Sequence, residues 1–111
     1  VGDLEEYQAF MKNYINKIAK KDKEGLTWAI NDLRVSFGGD KKSIALALGA
    51  AKKLYKIEES IDHGVLLARL YFEQGEQEMS LELLEKVKNN IKESGKPTRQ
   101  IDRIIEKIKA S

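Results

Sequence analysis

The chain has 111 residues, 41% hydrophobic and 34% charged, with a formal net charge of +2 and no Cys. That length suffices for one domain with a real core, the near balance of charge does not imply indiscriminate nucleic-acid affinity, and the missing Cys excludes a disulfide framework or a thiolate zinc site. No apolar run approaches the roughly 20 residues needed to span a bilayer, and no charged-then-apolar leader follows Val1, so a cytoplasmic location is expected.

Pro occurs once and β-branched alternation is sparse, which favours an all-α class. Richness in Ile, Lys and Glu leans towards a thermophilic source. The first helix is expected to open with Asp3 as N-cap and Glu6 closing a capping box. Its apolar positions Tyr7, Phe10, Met11, Tyr14, Ile15 and Ile18 form a stripe wide enough for two packing neighbours. Lys17, Lys20 and Lys21 crowd its C-terminal end, where the helix dipole favours cations. A break is expected over Asp22–Gly25.

A second helix is predicted over about Glu24–Phe37, with Leu26, Ile30, Leu33 and Phe37 inward and Trp28 off that stripe. Gly38-Gly39 should stop it by adopting the left-handed conformation. Asp40 should cap a third helix, Lys41–Ile57, whose small residues Ala45, Ala47, Gly49, Ala50 and Ala51 permit close helix approach. Ser60 should cap a fourth helix carrying Leu67, Leu70 and Tyr71. Gly75 breaks it, and a fifth helix follows with Met79, Leu83, Leu84 and Val87, running to Ile91 and ending near Ser94-Gly95. Pro97 suits the first turn of a sixth helix, where Ile101, Ile104, Ile105 and Ile108 form one narrow stripe. Loops of about two to five residues favour antiparallel neighbours.

Residues 61–94 resemble a tetratricopeptide repeat, a helix–turn–helix unit of 34 residues. Counted from Ile61, the family's large position seven is Leu67, its small position eight Ala68 and its aromatic position eleven Tyr71. The turn Gly is Gly75, the small position twenty Ser80, and positions twenty-four and twenty-seven are Leu84 and Val87. Gly64 stands where the family often has Trp, and Lys92 where it often has Pro. The period recurs independently of the family: Leu33, Leu67 and Ile101 are 34 apart, as are Phe37, Tyr71 and Ile105. Residues 27–60 form a weaker unit, with Arg34 at the small position, and residues 97–109 a C-terminal capping helix. An ordinary antiparallel bundle is the alternative, and the repetition favours stacked units. The resemblance implies a single domain over residues 1–111: a six-helix right-handed α-α superhelix of about three antiparallel helix pairs.

No constellation for catalysis, cofactor or metal is visible, so an enzyme is not expected. His63, the sole His, neighbours Asp62 and is read as solvent-facing rather than as an acid–base pair. Gly38-Gly39-Asp40-Lys41-Lys42 lacks P-loop spacing.

In the tetratricopeptide family a partner peptide lies in a concave groove faced by positions two, five, nine and twelve of each first helix. Carried onto this chain, those positions give Asp62, Val65, Arg69 and Phe72 in the central unit and Trp28, Asn31 and Val35 in the preceding one. The last helix supplies Lys96, Arg99 and Arg103, with Lys107 on the same side. Trp28 and Phe72 would be apolar anchors, although core packing against the first helix is the competing reading for Trp28. The basic residues would suit an acidic segment or a chain-terminal carboxylate. The expected function is therefore a protein–protein interaction module. Two alternatives are an assembly subunit, self-associating through the first helix (Tyr7, Tyr14 and neighbours), and nucleic-acid binding through the basic last helix.

Overall fold

The computed structural model describes residues 2–111, and the described residues form six α-helices with no strand. They are α1 (Gly2–Asn13), α2 (Lys23–Phe37), α3 (Lys41–Ile57), α4 (Ile61–Glu73), α5 (Gln77–Glu93) and α6 (Arg99–Lys109). A π-helical turn, Tyr14–Ile18, continues α1. The chain divides into two compact units, one ending at Glu59 and the other running Ser60–Ser111.

In the first unit α2 packs along α3, α1 leans on α3 and the π turn on α2. The core is Met11, Ile15, Leu26, Ala29, Ile30 and Leu33, together with Ala47, Ala50, Ala51 and Leu54. Each Leu or Ile so buried contributes about 1.5–3 kcal/mol relative to exposure. The alanines of α3 leave room for a close crossing, as expected for three of the five small positions. Ala45 is exposed, and a Cβ on Gly49 would meet nothing within 4 Å.

The start of α1 differs from the expectation. Asp3 lies inside α1 rather than ahead of it, because the acidic first turn suits the helix dipole as well as a cap would. The stripe of α1 is also narrower than predicted: Met11 and Ile15 are buried, while Phe10 is 54% and Ile18 64% exposed. The π turn explains Ile18. The Ala19 N–H reaches back five residues to the Tyr14 carbonyl at 2.7 Å, and Ala19 takes the inward place in its stead.

Asp22–Gly25 is not a break but the start of α2. The Asp22 side chain accepts from the Glu24 N–H at 3.2 Å, and Gly25 is buried in the first turn. A Cβ on Gly25 would lie 2.9 Å from Ala19 Cβ, Asp22 Oδ2 and Tyr14 Oη. Gly25 thus serves close packing. Gly25→Ala is expected to cost about 1–2 kcal/mol in urea unfolding, whereas Gly49→Ala is expected to stabilise by about 0.5–1 kcal/mol, since it adds helix propensity in open space. The Gly38-Gly39 expectation also fails in detail: Gly38 closes α2 with φ −60°, a right-handed conformation, so the chain leaves the helix without a left-handed residue.

Asp40 caps α3 as predicted. Its carboxylate accepts from the Ser43 N–H at 2.9 Å, from Ser43 Oγ at 3.0 Å and from Gln8 Nε2 at 2.7 Å, which ties α1 to the start of α3. The Ser43 backbone bond foremost, helped by the Ser43 and Gln8 side chains, holds the Asp40 carboxyl below its ordinary range. A depressed folded value means the cap contributes fully above about pH 4 and loses strength as pH falls through the folded value. Asp40→Asn should therefore flatten the acid limb of a thermal-stability profile below about pH 4, and circular dichroism melts at stepped pH would show it. Tyr7 donates to Asp32 and packs its ring 5.0 Å from Phe37. Burial first, then the bond to Asp32 and its charge, pushes the phenol up.

In the second unit α4 and α5 form an antiparallel hairpin, and α6 returns along α5. Ser60 caps α4, accepting from the His63 N–H at 3.1 Å. The Gly75 turn is a full Schellman closure: Glu76 N–H bonds Tyr71 O and Gly75 N–H bonds Phe72 O, each at 2.9 Å. Gly95 repeats it at the end of α5, with Lys96 N–H on Ile91 O at 3.2 Å and Gly95 N–H on Lys92 O at 2.9 Å. Both glycines have positive φ, 83° and 78°, which a side chain would strain.

The predicted small pair meets at the crossing. Ala68 and Ser80 are fully buried, and Ser80 Oγ donates to the Ala68 carbonyl at 2.7 Å. Ala68, Leu84, Val87, Ile91, Ile101, Ile105 and Ile108 form one core cluster. One expectation for α6 needs correcting. Pro97 precedes the helix, whose first intrahelical bond runs from the Asp102 N–H to the Thr98 carbonyl at 2.9 Å. Asp102 pairs with Lys88 of α5 at 2.7 Å and accepts from Thr98 Oγ1 at 2.9 Å. The Lys88 bond, then that of Thr98, holds the Asp102 carboxyl below its ordinary range.

Candidate functional site

A groove with a volume of about 810 Å³ opens in the Ser60–Ser111 unit. That is within the usual range for ligand clefts, about 300–1,000 Å³. Its geometry follows from the hairpin. α4 and α6 both run antiparallel to α5, so their N-terminal halves lie at the same end of the unit, beside the C-terminal end of α5. α4 contributes Ile61, Asp62 and Val65, α5 contributes Ile91, and the connecting loop contributes Lys96 and Pro97. α6 contributes Arg99, Gln100, Ile101, Arg103 and Ile104.

The floor is apolar because Ile91 and Ile101 belong to the core cluster and show only their edges. Val65 and Ile104 pack half-buried against that cluster, and Ile61 stands 44% exposed at the lip. The wall formed by α6 is cationic, since Lys96, Arg99 and Arg103 are all exposed. Asp62 is the one carboxylate among the lining residues. The positive dipole ends of α4 and α6 add to the cationic side. Ser60 caps the first of these; Thr98 gives its hydroxyl to Asp102 and makes no side-chain cap on the second.

Of the residues singled out in the sequence for this unit, Asp62, Val65, Arg99 and Arg103 line this one groove, with Lys96 beside them. Arg69 and Lys107 are exposed on α4 and α6 but do not line it. Phe72 is half-buried against the core cluster, which occupies part of the ring offered as an anchor. In the first unit Trp28, Asn31 and Val35 are exposed on one face of α2, at spacings of three and four. Trp28 is 48% exposed and meets the Tyr14 ring edge-on at 5.3 Å, so it packs on the α1 segment and is also open to solvent. Sequence reasoning missed the isoleucines of the floor, because Ile91, Ile101 and Ile104 read as ordinary core stripe. The only signal was Ile104, which sits at the edge of the α6 stripe rather than its centre.

Among the described residues no three His, Asp or Glu side chains gather as a metal site, and no helix is long and apolar enough to cross a membrane. No family model matches the chain, and no curated protein or solved structure matches it either.

Proposed function

We propose that the chain is a tetratricopeptide-like interaction module without catalytic chemistry, and that the groove between α4 and α6 takes an acidic peptide or helix of a partner protein. The observation that carries this reading is the joining of an isoleucine-lined floor to a wall of Lys96, Arg99 and Arg103. Apolar floors supply affinity, and a one-signed wall selects the sign and orientation of the ligand. The hairpin matching residues 61–94, with its Ala68–Ser80 crossing, supports the family reading. The right-handed six-helix superhelix belongs to the same proposal.

The fitting ligand has one or two branched apolar side chains flanked by Asp or Glu, or by its own terminal carboxylate. The test is a titration of the ¹⁵N-labelled protein with a short peptide of the type Asp-Glu-Ile-Asp-Leu-Glu. Expected are saturable shifts at Asp62, Val65, Arg99 and Arg103. A peptide with Asn and Gln in place of the acids is expected to produce weak or no shifts. Equal binding of both peptides, or shifts away from these residues, overturns the proposal.

A further inference from the structure

We infer that the outer face of α1 and its π turn is a docking surface for a second copy of this chain, packed antiparallel across a twofold axis. This does not rest on the groove of the other unit. The face carries Phe10, 54% exposed, and Ile18, 64% exposed, with the Tyr14 ring between them. Phe10 and Tyr14 are stacked at 6.1 Å between centroids, and Trp28, 48% exposed, closes on Tyr14 edge-on at 5.3 Å. A contiguous, partly exposed aromatic ladder of this kind is the composition of an interface core rather than of ordinary surface.

The charges around the ladder choose the occupant. Exposed Asp3 and Glu6 lie at its N-terminal end, and exposed Lys17, Lys20 and Lys21 at the other. Asp3, Glu6, Phe10 and Tyr14 fall on one side of α1 by helical spacing, Lys17 lies in the π turn, and Lys20 and Lys21 lie in the turn that follows it. A surface acidic at one end, apolar in the middle and basic at the other is complementary to itself after a twofold rotation. Setting Phe10 of one copy over Tyr14 of the second brings the acidic end of each copy towards the lysine-rich end of the other, at both ends at once. A nucleic acid fits less well, because its phosphates would meet Asp3 and Glu6 wherever the bases reached the rings. The π turn is what makes the face available: it sends Ile18 outward and buries Ala19 in its place. Tyr7, which the periodicity also offered, is excluded, because its ring packs on Phe37 and its hydroxyl on Asp32. One helix face and one Trp make a small interface, so association in the micromolar range is expected.

The test uses sedimentation velocity of the whole chain from about 5 to about 500 µM, a range that brackets micromolar association, with emission of the sole Trp, Trp28, read in parallel. The wild type is expected to move from monomer to dimer with a blue shift of Trp28. Asp3→Lys with Glu6→Lys makes both ends basic, and Lys17→Glu with Lys21→Glu makes both acidic. Each double variant alone is expected to associate at least about tenfold more weakly. An equimolar mixture of the two is expected to dimerise again, which also shows that both are folded. Phe10→Glu, at an exposed position, should abolish association while leaving the circular dichroism melt in place. A wild type that stays monomeric at the highest concentration overturns the inference. So does association unaffected by these changes, a mixture that does not restore it, or a monomer whose Trp28 is quenched by oligouridylate.

Discussion

Leu84→Ala is expected to destabilise the Ser60–Ser111 unit by about 3 kcal/mol. Leu84 is fully buried at the centre of the cluster formed by Ala68, Val87, Ile91, Ile101, Ile105 and Ile108. It sits on α5, the helix on which both α4 and α6 pack. Truncation removes about 2 kcal/mol of apolar transfer energy, and the residual cavity adds to that, because neighbours on three helices cannot all collapse into it. A unit of 52 residues has about 3–8 kcal/mol in hand on a per-residue basis, so the change consumes much of its margin. Urea unfolding followed by far-ultraviolet circular dichroism is the measurement, with a drop of about 10 °C or more in Tm as its thermal counterpart. Met79→Ala is the control, since Met79 lies on the same helix at 43% exposure and should change stability by less than about 0.5 kcal/mol. Equal losses in the two variants would remove Leu84 from its central place.

The features legible in the sequence are those where one local rule acts alone. Asp40 and Ser60 announce the starts of α3 and α4 because each is followed by a clean apolar period, and each caps where expected. Gly75 and Gly95 mark Schellman turns for the same reason. The all-α class follows from these signals together. Legibility fails where two groups compete for one role. Thr98 was free to cap α6, but its hydroxyl goes to Asp102, and the helix begins two residues after Pro97. Gly25 looked like a breaker, and its smallness is used instead against Tyr14 and Ala19. A π turn has no compositional signature, so the outward turn of Ile18 could not be read from spacing. The groove was half legible: charges on α6 were visible as a run, while the isoleucines beneath them were indistinguishable from core until the hairpin placed their edges at the surface.

Charge reversal on the groove wall, Arg99→Glu together with Arg103→Glu, is expected to weaken binding of the acidic peptide by about 30-fold or more. Both side chains are exposed, so each ion pair lost is worth only about 0.5–1 kcal/mol. Reversal also places two new like charges against the ligand, with a repulsion of similar size at each position. Together these come to about 2–4 kcal/mol, which is where the fold-change arises. Because the pairs are solvent-exposed, the wild-type affinity itself should fall several-fold between about 0.05 and about 0.5 M salt, as the Debye length shortens, and the reversed variant should lose that dependence. The apolar floor is untouched by either substitution, so Ile104→Ala supplies the orthogonal arm: it should weaken acidic and neutral peptides alike, with little change in salt dependence. Arg69→Glu, exposed on α4 but outside the groove, should leave affinity within about twofold, as expected of a charge outside the contact. Titration calorimetry or fluorescence anisotropy across these variants distinguishes a peptide held by floor and wall together from one attracted to a basic surface in general, which would respond to Arg69 as strongly as to Arg103.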